Sequence, residues 1–116
     1  MAQAIYEHIT GNPAESAGLG AIAGDPMSRN AGDALENMGI HGFDHTAQPL
    51  TVEMAENADE IYCMGKTHQI ILENAGFGEK TQLLGDDDIS DPYGGFIETY
   101  EKCAEQIRSC ILKRWK

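Results

Sequence analysis

Positive charge is scarce in this chain. Its 8 lysines and arginines stand against 19 aspartates and glutamates, a formal net charge of −11 over 116 residues. A polyanionic partner is repelled by such a balance, so nucleic acid and acidic membrane surfaces are excluded as expected partners. Long apolar runs are missing too. Nothing approaches the ~20 residues that a membrane-spanning helix needs, and no signal peptide is expected at the start. Cysteine is sparse and odd in number, 3 in all, which argues against a disulfide framework of the secreted kind. Cys103 and Cys110 are expected on one helix, where seven residues of rise separate their backbones by about 10 Å, too far for a disulfide. A reducing cytoplasm is the expected location.

Length sets the next bound. At 116 residues with 41% hydrophobic content, residues 1–116 suit one domain with a modest core. Helical patterns alternate with short apolar runs, and that alternation predicts an α/β fold with a parallel sheet. Met1 to Ile9 reads as a helix with Ala4, Ile5, His8 and Ile9 toward one face, and it lacks a capping residue at its start. Ser16-Ala17-Gly18 marks the end of a short strand or a turn. Ser28 is placed to cap a helix running to Met38, with Gly39 as its stop and an apolar stripe of Ala31, Ala34, Leu35 and Met38.

Further along, Thr51, Met54 and Ala55 suggest a short helix, and Glu60 to Met64 a strand. A helix is expected from Lys66 to Ala75, ending at Gly76, followed by a short strand over Thr81 to Leu84. Gly85 to Gly95 is polar and reads as a loop. Phe96, Tyr100, Cys103, Ala104, Ile107, Cys110 and Ile111 recur at three-and-four spacing, the pattern of a closing amphipathic helix.

Two acidic or histidine-bearing stretches invite a metal reading. Asp86-Asp87-Asp88 lacks the spacing and glycine of a calcium loop. His41, Asp44 and His45 are too few, and too loosely arranged, to predict zinc. No metal and no cofactor is expected.

Asp91-Pro92-Tyr93-Gly94-Gly95 is the most informative stretch. An Asp-Pro-aromatic-Gly turn ahead of a long helix resembles the general-acid loop of the low-molecular-weight phosphotyrosine phosphatases. Other segments are similar to that family in the family's order. Met1-Ala2-Gln3-Ala4 resembles the helix that follows its phosphate loop, and Ser16-Ala17-Gly18 its Ser-Ala-Gly turn. His45-Thr46-Ala47-Gln48-Pro49-Leu50 resembles its His-x-Ala-x-x-Leu segment. Ile61-Tyr62-Cys63-Met64 resembles its strand ending in Met, and Tyr100 to Lys113 its closing helix.

The resemblance implies a three-layer α/β sandwich with a short parallel sheet, a phosphoprotein substrate and a two-step phosphomonoester hydrolysis. In that chemistry a thiolate attacks phosphorus, an arginine and loop amides hold the oxygens, and the loop aspartate protonates the leaving group and then helps activate water. By position Asp91 is the general acid, with Ser16, His45 and Tyr93 as supporting residues. The amino end of the first helix would aim at phosphate. The plainer readings are that Asp91 forms an Asp-Pro turn, Ser16 a turn and His45 a loop contact.

The family also needs a Cys-x5-Arg loop, and this sequence has none. Cys103 and Arg108 have four residues between them and fall inside a predicted helix, whose amides are already bonded. Cys63 has no arginine near it in sequence. The resemblance therefore implies an N-terminally truncated domain, missing its phosphate loop and its first, central strand, and without meaningful phosphatase activity. Losing that strand leaves strand edges near Ser16 and at Glu60 to Met64 unpaired. One of three outcomes is expected: partial unfolding, re-pairing across the gap, or strand exchange between chains.

A single aromatic at Tyr93, followed by two glycines, looks like bacterial members including protein arginine phosphatases. Gly65 departs from the family's frequent Met-Asp pair. A non-catalytic pseudophosphatase, binding a basic partner, is the alternative. An arsenate reductase of the same fold ranks lower, because Ile70 stands where a relay cysteine is needed.

Overall fold

A computed structural model describes residues 1–18, 24, 27–43, 46, 48–92 and 94–115. Its elements in chain order are α1 (Ala2–Thr10), α2 (Arg29–Asn37), α3 (Val52–Asn57), β1 (Ile61–Cys63), α4 (Lys66–Leu72), β2 (Thr81–Leu83) and α5 (Ile97–Trp115). The architecture is mixed α/β, and the two strands pair in parallel with Ile61 opposite Thr81 and Cys63 opposite Leu83.

Local chemistry accounts for the helix starts. The Ser28 side chain accepts from the Ala31 amide and the Thr51 side chain from the Met54 amide, two of the donors that a helix start leaves unbonded. The first helix has no side-chain cap at Met1. Its apolar face is narrower than the sequence predicts: Ala4 and Ile5 are buried, Ile9 is half-buried and His8 is exposed. The helix after β1 widens into an irregular turn over Glu73–Phe77, where Gly76 takes φ 96°, a conformation that favours glycine.

The long α5 is the hub. Both α1 and α2 pack against it, while α4 contacts both strands. Ile5, Leu35, Ala104, Ile107 and Ile111 form the centre of one continuous core that reaches Leu84 and Ile89. At the far end of α5, Trp115 stands edge-on to Tyr6 at 4.9 Å and to Tyr62 at 5.1 Å between ring centres. That cluster ties α1, β1 and α5 together.

One expectation needs correction, and another lies partly outside the described residues. Phe96 was assigned to the buried stripe, but it is 80% exposed. It precedes the first turn of α5, so helical periodicity does not carry it to the core. Of the strand expected near Ser16, the described residues include the parallel bridge Gly18 to Pro49, with Gly18 donating to Gln48 O and Leu50 donating to Gly18 O, both at 3.0 Å, and positions 19–23 lie outside them. Pro49 has no N–H of its own to extend a ladder. The other edge of β1 pairs with no strand among the described residues.

Candidate functional site

The Asp91 loop is built as a tight turn closed on itself. The Gly95 amide donates to the Pro92 carbonyl at 2.8 Å, and the Thr99 and Tyr100 amides then donate to the Phe96 carbonyl as α5 begins. Gly95 has to be glycine here. A Cβ at that position would lie 2.9 Å from the Pro92 oxygen and 3.1 Å from the Thr99 Cβ, closer than packed atoms sit. A second tether comes from α2, where the Asn30 side-chain amide donates to the Gly95 carbonyl at 3.2 Å. Nothing in the sequence pattern singles out Asn30; its role depends on the tertiary approach of α2 to the loop.

Asp91 is exposed at the start of this turn. Behind it lies Cys103, the seventh residue of α5, whose thiol donates to the Ser90 carbonyl at 3.6 Å. Burial pushes the Cys103 thiol up from its ordinary pKa, the α-amino group of Met1 pulls it down, and the Asp91 carboxylate adds a further upward push. The Cys103 thiol thus reaches the residue before Asp91, and Met1 packs against the core cluster that includes Cys103. The α-amino group itself is held below its usual pKa by burial.

Of the supporting residues, Ser16 donates from its hydroxyl to Gln3 Oε1 at 2.7 Å, which fastens the Ser-Ala-Gly turn to α1. The Ser16 carbonyl accepts from Gln48 Nε2 at 2.8 Å. Ser16 is thus hydrogen-bonded to Gln3, the second residue of α1. His45 and Tyr93 lie outside the described residues, as does Asp44.

The acidic run is structural at two of its three positions. Asp86 pairs with Lys113 at 2.9 Å. Asp88 accepts from the Lys66 amide at 3.2 Å and so caps α4, whose N-cap residue Gly65 has no side chain to do it. His41 is paired through Nδ1 with Glu36.

No cysteine takes over as a phosphate-loop nucleophile among the described residues. All three are free thiols, and the positions six residues on are Gln69 after Cys63, Ser109 after Cys103 and Lys116 after Cys110. Cys63 is buried and its thiol is also pushed up, by burial first and by Glu73 second. Both buried thiols are therefore poorer nucleophiles than an exposed cysteine, because the thiolate is the attacking form. Clefts of about 290 and 400 Å³ open elsewhere, the first against Ile5, Ile9, Met38 and Arg108, the second against Gly85, Cys110 and Lys113. Neither is lined by Asp91, and the loop geometry is the better guide to the chemistry.

Comparison with known proteins matches residues 1–114 to the family described as low molecular weight phosphotyrosine protein phosphatase. A probable low molecular weight protein-tyrosine-phosphatase, EpsP, of Ralstonia nicotianae is 31% identical over 93% of this chain and 79% of that protein. A protein-arginine-phosphatase of Bacillus subtilis is 29% identical over 96% of this chain and 82% of that one. Among solved structures, the YwlE arginine phosphatase from Geobacillus stearothermophilus superimposes with a TM-score of 0.88 at 29% identity, covering 97% of this chain and 79% of that chain. A low molecular weight protein tyrosine phosphatase from T. tengcongensis also gives 0.88, at 30% identity, over 97% of this chain and 86% of the other.

Proposed function

The chain belongs to the low molecular weight phosphotyrosine protein phosphatase family, and from that premise we propose that these 116 residues carry the acid half of a phosphoprotein phosphatase site without the nucleophilic half. Asp91 is the general acid, presented on a turn braced by Gly95 and Asn30. Phosphoproteins are the substrate class of the complete site, and phosphotyrosine and phosphoarginine are the two side-chain chemistries that the relatives' names bring to it. The single aromatic at Tyr93 favours the arginine branch.

One observation carries the reading that this chain alone does not turn over phosphomonoesters. The cysteine nearest Asp91 is Cys103, and it sits inside α5 with its thiol pushed up by burial. Its neighbours' amides are committed to the helix, so no cradle for phosphate oxygens surrounds it. Losing the nucleophile and the arginine of a covalent mechanism removes orders of magnitude in rate. A non-catalytic binding role is the second reading. We place the protein in a reducing cytoplasm on account of its three free thiols.

The test is turnover of p-nitrophenyl phosphate, a phosphotyrosine peptide and a phosphoarginine peptide by the purified 116-residue chain. The expected result is no rate above the blank, unaltered by Asp91→Ala. A rate that iodoacetamide abolishes and Asp91→Ala depresses would overturn the proposal.

A further inference from the structure

The smaller of the two clefts lies among three helices, and the catalytic reading leaves it unused. Ile5, His8 and Ile9 line it from α1, Met38 and Ile40 from the segment that closes α2, and Arg108 and Leu112 from α5. Its volume of about 290 Å³ is near the lower end of the range for small-molecule sites. Ile5 is fully buried, and Ile9, Met38, Ile40 and Leu112 are half-buried around it. The backbone holds these walls in place. At the end of α1, Gly11 donates to the Glu7 carbonyl at 2.9 Å; at the end of α2, Gly39 donates to the Glu36 carbonyl at 3.0 Å and Ile40 to the Leu35 carbonyl at 2.9 Å. With Gly39 at φ 88°, this closure folds Ile40 back onto the last turns of its helix. The carbonyls of Glu7, Leu35 and Glu36 are thereby already bonded.

Charge decides what sort of molecule fits. Of the lining residues only Arg108 and His8 can carry charge, and both are exposed. The carboxylates on the same three segments are engaged: Glu7 accepts from the Ala14 amide at 3.0 Å, and Glu36 pairs with His41. Glu105 lies 3.6 Å from Arg108 Nη1, one turn back on α5. That is beyond the about 2.7–2.9 Å of a charge-assisted hydrogen bond, and an exposed pair of this kind holds weakly. Arg108 therefore keeps donors for an incoming oxyanion, and a guanidinium matches a carboxylate at two points. Apolar walls with a cationic rim suit a molecule with an apolar body and one acidic head, and the volume admits a small molecule rather than a helix or strand of a partner.

We propose that this cleft binds a small monocarboxylate with an apolar tail, the tail lying against Ile5, Ile9, Met38 and Ile40 and the carboxylate accepting from the Arg108 guanidinium, with His8 supplying a further N–H. Burial of the tail supplies the affinity, and the guanidinium selects the acid over its uncharged analogues. The proposal does not depend on Asp91 or on any phosphatase activity.

The probe is hexanoate, titrated into the isotope-labelled chain and followed by amide and methyl NMR shifts. Saturable shifts centred on the methyl groups of Ile5, Ile9, Ile40 and Leu112 are expected. Hexanamide, the same shape without the charge, should bind roughly tenfold more weakly, and acetate, the head without the tail, should give no saturable shift. Arg108→Met, an exposed change, is expected to abolish the preference for hexanoate over hexanamide without altering the thermal midpoint. Glu105→Gln, which releases Arg108 from its neighbour, should strengthen binding of hexanoate and leave hexanamide unaffected. Equal binding of hexanoate and hexanamide, an undiminished preference in Arg108→Met, shifts centred elsewhere, or no saturable binding would overturn the proposal.

Discussion

Asn30, the second residue of α2, donates from its side-chain amide to the carbonyl oxygen of Gly95, 65 residues further along the chain. This bond joins the helix that Ser28 caps to the turn that presents Asp91. Asn30→Ala removes the donor, and a typical intramolecular hydrogen bond is worth about 0.5–1.5 kcal/mol net. A loss of that size in urea unfolding is expected, together with faster hydrogen exchange at the amides of Gly94 and Gly95. Unchanged exchange at Gly95 would mean that its own bond to Pro92 holds the turn without help from α2.

The turn's second constraint is steric. Gly95→Ala drives a Cβ against the Pro92 oxygen and the Thr99 side chain, so either the turn opens or the first turn of α5 shifts. Overpacking of this kind costs about 1–3 kcal/mol. Thermal unfolding of Gly95→Ala should show the loss, with amide shift changes concentrated between residues 91 and 100. A variant as stable as the parent would show that the loop yields freely.

The parts of this fold that were legible in the sequence are the ones decided within a few residues. Ser28 and Thr51 cap their helices because each needs only an amide three positions on. Tyr100, Cys103, Ala104, Ile107 and Ile111 are buried because one helix face carries them all to the core. Phe96 escaped that logic by lying just outside the helix. The Asn30 tether and the Asp88 cap were invisible, since each bridges segments that meet only after α2, α4 and α5 have packed. The Asp91 turn was recognisable as a motif, while its bracing was not.

Asp88 is the more informative case of that kind. It caps α4 from 22 residues away, although the sequence suggested only a solvated acidic loop. Asp88→Ala should destabilise the protein by about 1 kcal/mol, the usual loss for an N-cap side chain. Asp88→Asn, which keeps an acceptor oxygen, should recover most of it. Chemical denaturation of the pair checks this, and an equal loss in both variants would assign the effect to charge rather than capping.

Tyr62 supplies a pH dependence. Its pKa is pushed up from 10.0 to about 12, by burial first and by its bond to Glu60 second. The folded state thus holds the phenolic proton between about 10 and 12 where the unfolded state has released it, so stability falls as pH rises through that window. Stability measured across alkaline pH should fall less steeply in Tyr62→Phe than in the parent. Ultraviolet difference absorbance should show one tyrosine ionising late. Parallel decline in the two proteins would show that Tyr62 is not the group responsible.

The thiols bear directly on catalysis. Cys63 and Cys103 are buried and pushed toward the neutral form, whereas Cys110 is half-buried beside Gly85. A thiol-specific disulfide reagent at neutral pH should therefore modify Cys110 first, and Cys63 and Cys103 only as the protein opens, since reaction needs both access and thiolate. Peptide mapping of the modified cysteines after brief exposure distinguishes them. Early modification of Cys103 would be the telling exception. It would mean that the α-amino group and the end of α1 outweigh burial and Asp91, leaving a reactive thiolate beside the acid loop. The view of this chain as a scaffold without a nucleophile would then have to be abandoned.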